Sequence, residues 1–148
     1  MTTAPKTILV ATDFAPCSDA ALDYAVPLAR ALGAKIHLFH AYELPVVGLP
    51  DGVVLGNEEL EQRVVTATRT ALAKAIAKHE GSGVTIEPHL READPREGIL
   101  AAAKELAADL IVVGTHGRKG FVRALVGSVA ELIVRAAVVP VTIVRLRA

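Results

Sequence analysis

Two kinds of segment alternate along this chain. Short β-branched apolar runs occupy residues 7–12, 35–41, 84–90, 109–114 and 141–146. Each is too short for a typical helix and is bounded by Gly, Pro or charged residues, which predicts five strands. Between them lie helical stretches at 18–32, 57–80, 95–107 and 128–137. Gly33 and Gly81 stop the first two. The starts carry their own chemistry. Asn57 precedes Glu58, Glu59 and Glu61, which set negative charge at the positive end of the helix dipole. Asp94 precedes Pro95 at the first helical position, with Glu97 three residues after the cap. Ser128 and Glu131 have the capping-box spacing. Pro27 stands inside the first helix and predicts a kink or a shortened helix there.

Strands and helices alternating over the whole length predict an α/β fold with a parallel sheet covered on both faces. The continuous apolar run Leu110-Ile-Val-Val113 suits a strand buried on both sides. Ligands of such sheets sit beyond the carboxyl ends of the strands, which points to the chain after Thr12, after His40 and after Val113. The long irregular stretch 42–56 holds Pro45, Gly48, Pro50, Gly52 and Gly56, and predicts a lid or binding loop.

Composition narrows the function classes. The 148 residues amount to one domain, and 52% of them are hydrophobic, enough for a sizeable core. Sixteen Lys and Arg balance sixteen Asp and Glu, so neither a general nucleic-acid binder nor a polybasic membrane binder is expected. No apolar run approaches the ~20 residues of a membrane span. The first residues lack the features of a signal peptide, and the expectation is a cytoplasmic protein. Cys17 alone makes neither a disulfide nor a multi-cysteine zinc site, and its expected role is packing near the start of the first helix.

The segment Gly114-Thr-His-Gly-Arg-Lys-Gly-Phe-Val-Arg-Ala-Leu-Val-Gly-Ser-Val-Ala-Glu131 carries the chemistry. Gly114, Gly117 and Gly120 permit positive φ and close approach of a ligand to the main chain. Gly127 and Ser128 offer free amides at a helix N-terminus, a good seat for phosphate oxygens. Arg118, Lys119 and Arg123 supply positive charge nearby, or form a solvated surface. The spacing is not a Walker A loop, because Gly120 follows Lys119. It is not Gly-x-Gly-x-x-Gly, and no Gly-x-Ser-x-Gly elbow surrounds Ser128.

The remaining pattern, Gly114, two residues, Gly117, nine residues, then Gly127-Ser128, resembles the ATP-binding branch of the universal stress protein family. Ile8-Leu-Val-Ala-Thr-Asp13 is similar to that family's first strand and its aspartate, and Ala93-Asp-Pro-Arg-Glu-Gly-Ile-Leu100 to its third-helix start. Residues 108–118 and 127–131 resemble its fourth strand and nucleotide loop, and Val139-Pro-Val-Thr-Ile-Val144 its closing strand. The resemblance implies a single three-layer, doubly wound domain over residues 1–148. Its parallel five-stranded sheet would have the order 3-2-1-4-5, as in the adenine nucleotide alpha hydrolase-like fold. It implies ATP, with Mg2+ carried by the nucleotide. Ala11, Thr12 and Asp13 would border the nucleoside, Asp13 on the ribose side, and Ala41 would offer its backbone to the adenine edge. Gly114, Gly117, Arg118, Gly127, Ser128, Val129 and Ala130 would hold ribose and phosphates. It also implies a homodimer through the last strand.

Other readings stand beside this one. Asp13 also suits a turn or cap, and Ser128 an N-cap. No residue stands out as a base to orient water, so the expectation is a stress-response or regulatory module with at most slow ATP hydrolysis. A nucleotide-free dimeric interaction module is one alternative. An ATP pyrophosphatase-type enzyme is another, but the stretch Thr12-Asp-Phe-Ala-Pro-Cys-Ser18 lacks the Ser-Gly-Gly-x-Asp-Ser loop of that class. The five histidines do not assemble a metal site by spacing. His37 and His40 point to opposite faces of one strand, His79 lies near a helix end, and His89 precedes an acidic turn. His116, in the glycine loop, is the one expected near ligand.

Overall fold

The structure, a computed structural model, describes residues 3–44, 58–115 and 126–146. Five strands are present, β1 (Thr7–Ala11), β2 (Lys35–Tyr42), β3 (Ile86–Glu92), β4 (Leu110–Gly114) and β5 (Val141–Val144). They form one parallel sheet in the order β3-β2-β1-β4-β5, as expected. The helices are α1 (Pro16–Leu32), α2 (Glu58–Ala77), α3 (Pro95–Glu105) and α4 (Ser128–Ala136). Leu9 and Val10 of β1 pair with Ile111 and Val112 of β4, whereas β1 pairs with β2 on its other side. The winding therefore reverses between β1 and β4.

Alternation along the strands builds two cores. Ile8, Val10, Ile36 and Leu38 pack with Leu22, Val26 and Leu72 on the face covered by α1 and α2. Leu9, Phe39, Ile111 and Val113 pack with Ile99, Ala102 and Ile133 on the face covered by α3 and α4. The central strands are apolar on both faces because both faces are covered.

Pro27 does not shorten the first helix, and α1 runs unbroken through it. The ring lies on the exposed side of the helix. The carbonyl it deprives of a partner, that of Asp23, belongs to an exposed residue and can be met by water. The buried stripe Ala21, Leu22, Ala25, Val26 and Ala29 is untouched.

Other ends shift by a few residues. α2 stops at Ala77, and 78–82 continues as turns closed by His79 N–H to the Ile76 carbonyl and Ser82 N–H to that of His79. Gly81 and Gly83 both take positive φ, so β3 begins two residues later than its apolar run suggests. Asp94 caps α3 as expected, its side chain accepting from the Arg96 N–H at 2.9 Å. Asn57 and the long stretch 45–56 lie outside the described residues.

Candidate functional site

The β1–β4 reversal opens a cavity of about 740 Å³ at the carboxyl ends of the strands, the size of a small-molecule site. Each element contributes residues at or just past its end. Ala11, Thr12 and Asp13 come from β1, Ala41 from β2, Gly114 from β4, and Gly127, Ser128, Val129 and Ala130 from the start of α4. These are the described residues among those singled out from the sequence, and all nine line one cavity. Gly117 and Arg118 lie outside the described residues, as do His116, Lys119, Gly120 and Arg123.

The β1 end is a closed polar turn. Thr12 N–H donates to the Phe39 carbonyl at 2.9 Å, continuing the β1–β2 ladder one residue past the strand. The Asp13 carboxylate accepts from the Ala15 N–H at 3.0 Å and from the Ser18 hydroxyl at 2.8 Å. Thr12 Oγ1 accepts from the Phe14 N–H at 3.0 Å and lies 3.1 Å from Ser18 Oγ. Asp13 thus serves the turn that launches α1 while lining the cavity. Phe14 takes a left-handed φ of 63°, an uncommon state for a bulky residue, and its ring rests 4.6 Å from that of His40. His40 Nδ1 lies 2.7 Å from the Thr12 carbonyl and donates to it in the tautomer protonated there.

The opposite wall is built around β4 and α4. Gly127 N–H donates to the Thr115 carbonyl at 2.5 Å, and Thr115 N–H to that of Val144 at 3.1 Å. These bonds hold the N-terminus of α4 directly against the end of β4, and they use the Gly127 amide, which was expected to be free; the amides that helix geometry leaves open to a ligand are those of Ser128, Val129 and Ala130. Two further expectations change here. Ser128 is not the cap: the Gly127 carbonyl accepts the Glu131 N–H at 2.9 Å, so the helix starts one residue earlier and Ser128 is its first residue, with no side-chain cap bond. Nor do Gly114 and Gly127 need positive φ. Gly127 sits at φ −59°. Gly114 is required by packing, because a Cβ there would meet the Cys17 backbone at 2.7 Å. Half-buried Cys17 is therefore a packing residue by its main chain, and its Sγ lies 4.0 Å from Thr115 Oγ1.

Sequence reasoning missed several lining residues, including Ser18, His40, Tyr42, Glu43 and Ile99. His40 could have been found, since it lies at a strand end named for ligands. Burial, with Glu61 and Glu92 adding to it, pushes the Tyr42 phenol up from its ordinary value, so it stays a neutral donor near neutral pH.

The sheet also joins residues that spacing kept apart. His37 aligns with Glu87 across β2–β3, and Phe39 with His89. His37 Nδ1 lies 2.7 Å from His89 Nε2 and 3.3 Å from Glu87 Oε2. None of these three lines the cavity.

Comparisons with known proteins bear on the family and the fold. The sequence model of the universal stress protein family matches residues 5–145. A universal stress protein of Methanocaldococcus jannaschii is 34% identical over 142 residues, 95% of this chain and 82% of the relative. Among solved structures, a universal stress protein in complex with cAMP is 27% identical, with a TM-score of 0.73, 98% of this chain covered and 100% of the other. One from Archaeoglobus fulgidus in complex with dAMP is 26% identical, with a TM-score of 0.63 and coverage of 96% and 99%.

Proposed function

The chain belongs to the universal stress protein family, and from that premise we propose that its cavity binds ATP and that the protein is a cytoplasmic stress-response or regulatory module. One observation carries the reading. The N-terminus of α4, at Gly127 and Ser128, is pinned beside the end of β4 in the same cavity as the ends of β1 and β2. Amides at a helix start favour phosphate oxygens, and the strand ends give an apolar and hydrogen-bonding wall for a nucleoside. Relatives in complex with cAMP and dAMP support an adenine nucleotide.

Roles follow from position. Gly127, Ser128, Val129 and Ala130 face the phosphates, with Gly117 and Arg118 assigned there by the family pattern alone. Thr12 and Asp13 border the ribose, and Ala41 the base. Asp13 and Glu43 are the carboxylates on the cavity wall, hard oxygen donors that suit Mg2+ riding on the phosphates. The function proposed is binding rather than turnover, with hydrolysis slow at most.

The test is calorimetry and thermal shift of the full chain with Mg-ATP, AMP and cAMP. Mg-ATP should bind and raise the melting temperature. A folded protein that gives neither heat nor shift with millimolar Mg-ATP would leave the nucleotide-free interaction module as the function.

A further inference from the structure

We propose that His37, Glu87 and His89 form a binding site for a first-row divalent cation of the zinc class, separate from the nucleotide cavity. The three residues offer two imidazole nitrogens and one carboxylate oxygen, the donor set that zinc shares with its neighbours in the series. His37 Nδ1, His89 Nε2 and Glu87 Oε2 are separated by 2.7, 3.3 and 4.0 Å. In a tetrahedral zinc site with bonds of about 2.0–2.1 Å, neighbouring ligand atoms stand about 3.3 Å apart. The three separations bracket that edge, so small rotations about the side-chain bonds bring the atoms onto it.

The surroundings argue for a purpose beyond packing. His37 is 3% exposed and shares its strand face with Phe39, beside Leu9 of β1, both core residues. A polar ring there is costly unless its nitrogens are engaged. Its Nδ1 is engaged by another imidazole nitrogen at 2.7 Å, a contact that holds one proton between the two rings and that a cation, spreading them to about 3.3 Å, would replace.

Access is provided from the other strand. β3 is an edge of the sheet, and the side chains of Glu87 and His89 are 47% and 31% exposed. A cation can enter from solvent and keep an outward coordination position for water. The opposing charge is modest. Exposed Lys35, two residues before His37, acts against a cation, while Arg91 on β3 is paired with Glu105. A bound cation would clamp the edge strand to β2 at the residues in register with Phe39, which lines the nucleotide cavity.

The experiment is titration of the chelator-treated full chain with ZnCl2, followed by calorimetry and thermal shift, and with CoCl2, followed by visible absorption. One equivalent of Zn2+ should bind and raise the melting temperature, and Co2+ should give the absorption bands of a low-symmetry site. His89→Ala and Glu87→Gln change half-exposed side chains, should fold as the parent does by circular dichroism, and should lose both signals. His79→Ala, at a histidine paired instead with Asp23, should keep them. No zinc binding by the parent, or equal binding by the parent and both variants, would show a hydrogen-bonded triad and overturn the site. Nucleotide binding, measured on the same samples, is read separately and does not decide the matter.

Discussion

A Cβ on Gly114 would lie 2.7 Å from the backbone carbonyl carbon and oxygen of Cys17. Backbone atoms cannot rotate out of the way, so the end of β4 and the first turn of α1 are held at a distance only glycine permits. Gly114 itself lines the cavity where the winding reverses. Gly114→Ala should therefore separate α1 from β4 and cost about 1–3 kcal/mol, measured by urea denaturation. It should also weaken Mg-ATP binding. A variant of parental stability would show that α1 moves freely over the sheet.

At the α4 start, stability and binding should separate. Ser128 makes no capping bond, so Ser128→Ala should change stability by no more than about 0.5 kcal/mol. If the hydroxyl meets phosphate, ATP affinity falls by the worth of one hydrogen bond, about 0.5–1.5 kcal/mol. Gly127 has φ −59° and ψ 156°, a conformation open to any residue, so Gly127→Val should fold. Its branched side chain would occupy the phosphate approach and abolish binding. Unchanged affinity in folded Gly127→Val would move the phosphate site elsewhere.

The sheet order was legible because each strand is an apolar β-branched run between turn residues, and the family pattern supplied the order. That nine described residues would meet at one cavity was legible because strand ends and a glycine-serine helix start carry local signals. The His37, Glu87 and His89 cluster was not. It depends on the register between β2 and β3, and a contact across fifty residues leaves no local spacing to read. The helix was not shortened at Pro27 because exposure, not sequence position, decides whether the lost bond matters. The end of α3 was read two residues late because no glycine marks it.

That end yields a prediction. Ala107 takes φ 51° while Ala108 N–H donates to the Ala103 carbonyl at 2.9 Å, the closing bond of a Schellman cap. An L-residue pays for the left-handed state, and glycine does not. Ala107 is exposed, so nothing packs on its methyl group. Ala107→Gly should stabilise the protein by about 0.5–1 kcal/mol after the entropy cost of glycine is subtracted. Chemical denaturation of the pair measures this directly, and a destabilised variant would contradict it.

At the other end of α3, the Arg96 guanidinium holds the Asp94 carboxyl below its ordinary value. A depressed folded-state pKa gives stability that is complete above the unfolded value of about 3.9 and disappears as pH falls through the folded one. Asp94→Ala should therefore melt lower than the parent at neutral pH, and the gap should close on acidification toward about pH 2. A gap that persists unchanged would assign the loss to helix propensity rather than to the ionised cap.

β5 is the edge opposite β3, and we expect a second copy of the chain to cover it. Thr115 N–H takes the Val144 carbonyl and Ile111 N–H that of Pro140, so residues 140, 142 and 144 turn their backbone groups toward β4. By alternation, Val141, Ile143 and Arg145 present theirs outward, where no described strand meets them. Apolar side chains collect beside this edge: Val138 is 99% exposed, Leu146 52% and Val134 50%. Unpaired backbone and apolar surface together invite antiparallel pairing of two copies about a two-fold axis. Arg145 opposes this mildly. Val138→Asp combined with Leu146→Asp leaves the core intact, since both side chains are already outside it. The parent should be a dimer in light scattering at tens of micromolar, and the double variant a monomer of unchanged melting behaviour once dissociated. A parent chain that is monomeric under those conditions would leave the β5 edge without its partner and refute the pairing.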